Sequence, residues 1–229
     1  RGQEFLDQLA GKAGEVAWPT FAPGKSIATR KASQTVLNAV AAVTPSLIGG
    51  SADLAGSNGS TMKGEAHGDR QTPTGRNLHF GIREHAMGAI CNGLALHGGA
   101  RPYGATFLVF HDYMRPAVRL AALMKQPVIY IYTHDSVFLG EDGPTHQPVE
   151  HLMAMRTMPN LWVVRPADAT ETAEAWKMAM ARMDGPTALC LTRQGLTVLD
   201  RAVYGAAEGV QQGAYVLSDA ADPQVVLIG

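Results

Sequence analysis

A single carboxylate, Glu84, stands where a polar segment meets a predicted helix, and this position suggests proton chemistry. Apolar residues recur at helical spacing from Arg83 to Leu96, which predicts a helix that is packed on several sides and almost wholly buried. Burial favours a protonated acid, whereas the free N–H groups at a helix start favour the anion. We therefore expect Glu84 to share a proton with a ligand. The alternative is a glutamate that only complements the helix dipole.

Further polar and aromatic side chains follow the other predicted strands. In a parallel sheet the carboxyl ends of the strands meet at one edge, where ligands bind. The side chains expected at this edge are Ser51, Asp53, Ser57, Asn58, Glu84, Phe110, His111, Tyr113, His134, Asp135, Asp142, His146 and Arg193. The sequence thus predicts one crowded, polar edge.

The histidines and carboxylates of segment 134–148 are open to more than one interpretation. His134, Asp135, Asp142 and His146 are potential metal ligands. No cysteine joins them, and the surrounding glycines and prolines suit a rigid loop that offers hydrogen bonds to hydroxyl or carbonyl groups, which is the interpretation we favour. Each histidine, taken alone, is also typical of a structural hydrogen bond in a turn.

The aromatic and basic candidates have structural alternatives as well. Three aromatic residues spaced by three are typical of a core face, namely Phe107, Phe110 and Tyr113. Arg30, Ser57 and Arg193 are typical of surface or capping positions. However, two arginines and a hydroxyl near strand ends are also suited to hold a phosphate.

The elements that must position these groups alternate between helix and strand. Buried strands are predicted at residues 47–50, 78–80, 103–108, 128–132, 161–164 and 188–191, with helices between them. Asp168 with Glu171 three residues later is a capping-box signature for the last of these helices. The alternation predicts an α/β fold in which helices cover both faces of a parallel sheet. The aperiodic segment 51–77 is too long for an idle connection and is predicted to be a functional loop.

Composition narrows the class of protein. The 229 residues carry a net charge of −1 with scattered Lys and Arg, so neither nucleic acid nor an anionic membrane is an expected partner. No apolar run approaches the roughly 18 residues of a membrane span. Cys91 and Cys190 are expected to be reduced core thiols, which fits a cytoplasmic location. The start on Arg1 and the apolar run 225–228, interpreted as a buried strand, suggest a fragment.

Four segments in unbroken order resemble the transketolase family. They are Gly50–Leu54, Gly81–Met87, Thr106–Leu108, and Thr133–Ser136 together with Gly140–Pro148. The resemblance runs from about Ala28 to Gln194 and is most specific between Asp142 and His146. It implies a thiamine diphosphate-binding fold with a linker at 1–25, the pyrimidine-binding domain at 26–203, and a linker with the start of a carboxyl-terminal domain at 204–229.

The resemblance also implies roles for individual residues. Glu84 corresponds to the acid that hydrogen-bonds the pyrimidine ring nitrogen of thiamine diphosphate, and Phe110 to the residue that stacks on that ring. Phe107 and Tyr113 correspond to the rest of an aromatic pocket, and Asp53 to a position near the cofactor. The implied substrate contacts are Arg30, Ser57, His134, Asp142, His146 and Arg193, of which His134 and His146 are also implied to be catalytic. No metal ligand is implied in this chain.

The implied reaction moves a two-carbon ketol unit from a ketose phosphate to an aldose phosphate in the pentose phosphate pathway. In that family the cofactor lies between the subunits of a homodimer, with its diphosphate and a divalent metal such as Mg²⁺ on the partner's amino-terminal domain. The motif that holds these groups, Gly-Asp-Gly followed by paired asparagines, does not occur in the sequence. We therefore expect this chain alone to be inactive.

Two alternatives remain open. A formaldehyde-using dihydroxyacetone synthase resembles transketolase over the same region but acts on a different acceptor. A non-catalytic dimerisation module would keep the subunit surface and bind no cofactor, although the complete set Glu84, Phe110, Asp142 and His146 argues against it. Deoxyxylulose phosphate synthase fits less well, because the sequence of segment 143–148 resembles the transketolase motif.

Overall fold

A parallel sheet forms the centre of the protein, seen in a computed structural model that describes Gly2, Leu6, Asp7 and residues 14–228. The described strands are β1 (Ser26–Ala28), β2 (Leu47–Ser51), β3 (Asn77–His79), β4 (Arg101–Phe107), β5 (Ile129–Thr133), β6 (Trp162–Val164), β7 (Thr187–Leu191) and β8 (Gly195–Thr197). Six of them form a sheet in the order β3-β2-β4-β5-β7-β6, and every neighbouring pair is parallel. The predicted α/β fold with a parallel sheet is confirmed.

Helices connect the strands. They are α1 (Thr29–Val43), α2 (Ala55–Asn58), α3 (Glu84–His97), α4 (His111–Leu123), α5 (His151–Arg156) and α6 (Ala169–Ala181). The Asp168 side chain accepts a hydrogen bond from the Glu171 N–H at 2.8 Å, and the Glu171 carboxylate accepts one from the Ala167 N–H at 2.8 Å. The first bond confirms the predicted cap of α6, while the second joins Glu171 to the residue before the cap rather than to Asp168 itself. Part of the linker predicted at residues 1–25 falls outside the described residues.

The core lies on both faces of the sheet, because successive side chains of a strand point to opposite sides. In β5, Tyr130 and Tyr132 pack on the side of α3 and α4. Ile129 and Ile131 pack on the other side with α1 and α6. Since all five residues of β5 are buried, the strand is the unbroken apolar run that a central parallel strand requires.

Helix α3 is less buried than its sequence predicts. Its sheet-facing residues Met87 and Cys91 are fully buried, but Ile90 is 48% exposed and Leu96 58% exposed. The prediction of an almost wholly buried helix is therefore wrong for the described chain. An apolar pattern around a helix cannot distinguish a face covered by the same chain from a face that no described element covers.

The carboxyl-terminal run is also different from the prediction. Residues 225–228 form no strand, and Ile228 is 94% exposed, because no described strand pairs with them. Cys91 and Cys190 are both buried and free, as expected. Within the described part of the chain, no helix is both long enough and apolar enough to cross a membrane.

Candidate active site

A cavity of about 570 Å³ opens at the carboxyl ends of the strands. Loops after four different strands supply its walls: Ala52, Asp53 and Leu54 after β2, Ile82 and Glu84 after β3, Phe110 and Tyr113 after β4, and His146 after β5. Polar and aromatic side chains that the sequence predicts at this edge of the sheet therefore line one cavity. It combines two acids, a histidine and two aromatic rings.

Glu84 is positioned by a tight turn between β3 and α3. Gly81 has a φ of +67°, a conformation that other residues rarely adopt, and the Arg83 Nε donates a hydrogen bond to the Phe80 carbonyl at 2.7 Å. Helix α3 then begins at Glu84 and packs closely on α4, where a Cβ on Gly88 would lie 2.8 Å from the Ala117 Cβ.

The Glu84 carboxyl group has no partner among the described residues. Its residue is only 7% exposed, yet no hydrogen bond or ion pair reaches its side chain. The carboxyl oxygens of Glu84 are not among the fully enclosed polar atoms of the described residues, so they are accessible from the cavity. Because Glu84 lines the cavity, a ligand with a nitrogen or hydroxyl group is the natural partner.

Three aromatic rings form a row beside Glu84. The Phe107 and Phe110 ring centroids are 5.8 Å apart, and those of Phe110 and Tyr113 are 5.9 Å apart, with stacked orientations. The His146 ring meets Phe110 edge-on at 5.4 Å. Phe110 and Tyr113 line the cavity, whereas Phe107 is buried behind it and contacts the His134 ring at 3.7 Å. The aromatic rings of Phe110 and Tyr113 therefore share the cavity with the unpaired carboxyl group of Glu84.

Asp53 and His134 both adopt left-handed backbone conformations at strand ends, with φ values of +62° and +60°. Such conformations are uncommon outside glycine and occur often at functional sites. Asp53 is exposed at the mouth of the cavity. His134 is buried, and burial together with the nearby Arg30 and Arg193 lowers the pKa of its imidazole to about 4. His134 is therefore neutral at physiological pH.

Asp142 connects His134 to the basic side of the site. Its Oδ2 lies 3.8 Å from the His134 Nε2 and 3.8 Å from the Arg193 Nε. The Arg193 Nη2 donates to the Glu141 carboxylate at 2.5 Å, but Glu141 is largely exposed. An exposed ion pair of this kind contributes little to stability, so Glu141 is easily displaced.

Arg30 and Arg193 are brought together by a feature that the sequence did not predict. Strands β1 and β8 pair antiparallel, and the Thr29 and Thr192 side chains exchange hydrogen bonds with each other's backbone N–H groups. This places Arg30 close enough to Arg193 to lower the pKa of Arg30, although burial is the larger cause. Arg30 also donates to the Ser57 carbonyl at 2.7 Å, so it is the Ser57 backbone that holds Arg30 in place.

The alternative interpretation of segment 134–148 as a metal site gains no support. Asp135 forms an ion pair with Arg165 at 2.7 Å instead. In the described part of the chain, the one group of three potential ligands within 4.8 Å of one another is Asp112, Glu150 and His151, none of which lines the cavity. The cavity is lined instead by hydrogen-bonding and aromatic side chains.

Sequence reasoning assigned no role to several residues that shape this site. Glu141, Thr133 and Asn58 hold Arg193 and His134 in position, and Ile82 lines the cavity. Asn58 had been placed at the strand edge, and Glu141 stands inside the segment of most specific resemblance. Thr133 ends a buried strand, and nothing in its pattern separates it from an ordinary strand residue.

The fold and the pocket define an α/β domain with a cavity at the carboxyl edge of a parallel sheet, where α/β domains bind their ligands. The family model described as "Transketolase, pyrimidine binding domain" matches residues 25–198. The chain therefore belongs to the transketolase family, as the sequence resemblance implied.

Individual relatives agree with this assignment. A transketolase of Aquifex aeolicus is 57% identical over 201 residues, which cover 87% of this chain and 29% of the relative. The solved transketolase of Leishmania mexicana superimposes with a TM-score of 0.91 at 45% identity, covering 97% of this chain and 33% of that one. A Pichia stipitis transketolase solved with sedoheptulose 7-phosphate gives 0.89 at 43% identity, covering 96% and 33%. The chain thus spans about a third of the length of these relatives.

Proposed function

We propose that the protein provides the pyrimidine-binding part of a thiamine diphosphate-dependent transketolase, which transfers a two-carbon ketol group from a ketose phosphate to an aldose phosphate. The observation that carries the proposal is the Glu84 carboxyl group, which has no partner among the described residues and lines the same cavity as the Phe110 and Tyr113 rings. A flat heteroaromatic ring with a basic nitrogen suits this combination, because the rings offer stacking surfaces and the acid offers a charge-assisted hydrogen bond.

The residues of the cavity fit the pyrimidine of this cofactor. Glu84 would share its proton with the ring nitrogen, Phe110 would stack on the ring, and Tyr113 and Asp53 would close the side and the mouth of the cavity. Thiamine diphosphate, when bound, supplies the nucleophilic carbon and the electron sink for the reaction. The protein contributes an apolar slot that excludes water and an acid that holds the proton in place.

The basic side of the site suits a sugar phosphate. Arg30 and Arg193 lie at the end of the site beyond His134, and the exposed Glu141 now neutralises Arg193. A phosphate offers Arg193 a doubly charged, bidentate partner and would displace Glu141. We propose that His134, Asp142 and His146 contact the hydroxyl and carbonyl groups of the sugar, which their positions near Arg193 and the aromatic rings support. The sugar phosphate named for the Pichia stipitis structure is a substrate of this class.

The other parts of the active site are proposed to come from outside this chain. None of the described residues around the cavity forms a cluster for a divalent metal, and the Gly-Asp-Gly motif is missing from the sequence. We propose that a separate amino-terminal domain, on a partner subunit of a homodimer, holds the metal and the diphosphate. The exposed apolar residues of α3 and α4, such as Ile90, Leu96 and Leu123, support a subunit interface on this side.

The test is a coupled assay of ketol transfer between pentose phosphates, with thiamine diphosphate and Mg²⁺, on this chain alone and with a transketolase amino-terminal domain supplied in trans. We expect transfer only in the combined sample. In that sample Glu84→Gln should abolish most turnover, whereas the exposed Glu208→Gln should not. Turnover of the Glu84→Gln variant at the wild-type rate would contradict the proposal.

The same assay separates the closest enzymatic alternative. Dihydroxyacetone synthase chemistry predicts faster transfer to formaldehyde than to a phosphorylated aldose. Because two arginines are available for a phosphate, we expect the phosphorylated acceptor to be preferred. A non-catalytic dimerisation module predicts no transfer to either acceptor.

A further inference from the structure

A buried row of hydrogen bonds leads from the loop after β2 to the imidazole of His134. The Leu54 N–H donates to the Ser51 Oγ at 3.0 Å, and the Ser51 Oγ lies 2.7 Å from the Asn58 Oδ1. The Asn58 Nδ2 donates to the Thr133 Oγ1 at 2.7 Å, and that oxygen lies 2.8 Å from the His134 Nδ1. Ser51, Asn58, Thr133 and His134 are each at most 3% exposed, so water does not compete with this row.

The direction of the row determines which imidazole nitrogen carries the proton. The Thr133 Oγ1 accepts from Asn58, so its own hydrogen is free to be donated to the His134 Nδ1. When the Thr133 hydroxyl donates in this way the Nδ1 is unprotonated, which leaves the hydrogen of a neutral imidazole on Nε2.

The opposite direction satisfies fewer groups. Reversing the row through the Asn58 amide would deprive the Ser51 hydrogen of the Asn58 carbonyl. Keeping the amide and placing the proton on Nδ1 would make the Thr133 oxygen accept twice and would leave its own hydrogen without an acceptor among the described residues. It would also turn the lone pair of the His134 Nε2 toward the Asp142 carboxylate, 3.8 Å away, so that two acceptors would face each other. Both ends of the row therefore favour the same direction.

The neutral form of His134 is consistent with its surroundings. Burial is the largest cause of its lowered pKa, and Arg30, Arg193 and His146 oppose a further positive charge while Asp142 favours one. These are the charged and titratable groups that face the imidazole. Because the imidazole is neutral, its one ring N–H hydrogen can be held on a single nitrogen by the surrounding hydrogen bonds.

We propose that Asn58 and Thr133 are positioning residues that hold His134 in the Nε2–H tautomer, so that His134 donates a hydrogen bond into the substrate site. This inference rests on the proposed function only for the identity of the acceptor, a sugar hydroxyl or phosphate oxygen. The tautomer itself is a property of the ligand-free protein. A hydrogen-bond donor at this point recognises oxygen acceptors and rejects an analogue that offers none.

The test is nitrogen–proton correlation NMR on the intact protein with isotopically labelled histidine, in which His134→Gln identifies the signals of His134. We expect the Nε2–H tautomer in the wild type. Thr133→Val removes the donor to Nδ1 and should mix the tautomers, and Thr133→Ser, which keeps the hydroxyl, should restore the wild-type pattern. Asn58→Asp should reverse the row, because a carboxylate only accepts, and should therefore move the proton to Nδ1.

Kinetics on the same variants separate this proposal from the proposed function. We expect Thr133→Val to raise the KM for the phosphorylated sugar about tenfold with a smaller change in kcat, and Thr133→Ser to recover it. An Nδ1–H tautomer in the wild type, or a tautomer that Thr133→Val leaves unchanged, would overturn the proposal that this row of hydrogen bonds sets the tautomer of His134. A tautomer that changes without any effect on KM would support the proposed role of Thr133 and would contradict the proposed contact between His134 and the substrate.

Discussion

Two buried acids at helix starts, Glu84 of α3 and Asp168 of α6, have opposite surroundings. Asp168 is fully buried, and its oxygens accept hydrogen bonds from the Glu171 and Leu199 N–H groups. It also pairs with Arg201 at 3.0 Å. Glu84 is nearly as buried but has no partner among the described residues. The described chain therefore supplies partners to Asp168 and none to Glu84, as the proposed ligand-binding role of Glu84 requires.

The largest expected effect concerns catalysis at Glu84. Glu84→Gln keeps the size of the side chain but removes the proton that the acid shares with the ligand, so we expect kcat of the complete enzyme to fall about a thousandfold. Steady-state assays with saturating thiamine diphosphate measure this change. The matched control Glu208→Gln, an exposed glutamate in the first turn of another helix, should stay near the wild-type rate.

The reverse result is expected for Asp168. Asp168→Ala removes the nearest acidic partner of Arg201, which keeps only Glu171 at 3.5 Å, and it uncaps α6, so we expect the free energy of unfolding to fall by about 2 to 3 kcal/mol. Chemical denaturation measures the loss. The folded fraction of this variant should keep its kcat, and a selective loss of kcat at unchanged stability would break the contrast between the two acids.

A third buried group, His111, lies behind the cavity and is only partly satisfied. Its Nδ1 is 2.7 Å from the Tyr132 hydroxyl, its Nε2 has no partner, and burial lowers its pKa from 6.5 to about 4. Between these values the unfolded chain binds more protons than the folded one, so stability falls as the pH is lowered from 6.5 and the loss is complete below about pH 4.

We expect this loss at His111 to amount to about 3 kcal/mol, measured as the difference in unfolding free energy between pH 7 and pH 4 in the wild type and in His111→Gln. The variant should lack that part of the acid sensitivity. The exposed His97→Gln is the control and should behave like the wild type. Equal acid sensitivity of His111→Gln and the wild type would show that His111 is not neutral in the fold.

Arg193 is an intermediate case, since its internal partner Glu141 is exposed and displaceable. We expect Arg193→Ala to raise the KM for phosphorylated sugars about tenfold while that for unphosphorylated sugars changes little. Glu141→Gln should lower the KM for phosphorylated sugars about twofold, because a competing anion is removed. Equal effects of Arg193→Ala on both classes of sugar would remove the phosphate assignment.

The sequence predicted the sheet and most of the site because both depend on local patterns. Strand β5 is an unbroken apolar run, and Asp168 with Glu171 is a local capping signal. Glu84, Phe110 and His146 follow strands whose carboxyl ends must meet at one edge. The structure confirms that these residues meet in one cavity, while their roles stay predictions.

What the sequence did not predict depends on contacts between distant segments. Strands β1 and β8 have three residues each, too few to show a period, yet their pairing brings Arg30 and Arg193 together. The row from Ser51 to His134 joins residues up to 75 positions apart in the chain. The exposure of Ile90 could not be predicted from the sequence either, because helical periodicity does not reveal whether a face is covered by the same chain.

The most direct test of the role of Glu84 is the free energy of unfolding of the intact protein and of Glu84→Gln, each measured without and with saturating thiamine diphosphate and Mg²⁺. An acid reserved for a ligand predicts that the two proteins agree within about 0.5 kcal/mol without the cofactor. With the cofactor, the wild type should be stabilised by at least about 1.4 kcal/mol more than the variant, which corresponds to a tenfold weaker affinity. A variant that is less stable by about 2 kcal/mol without the cofactor, or equally stabilised by it, would contradict this role.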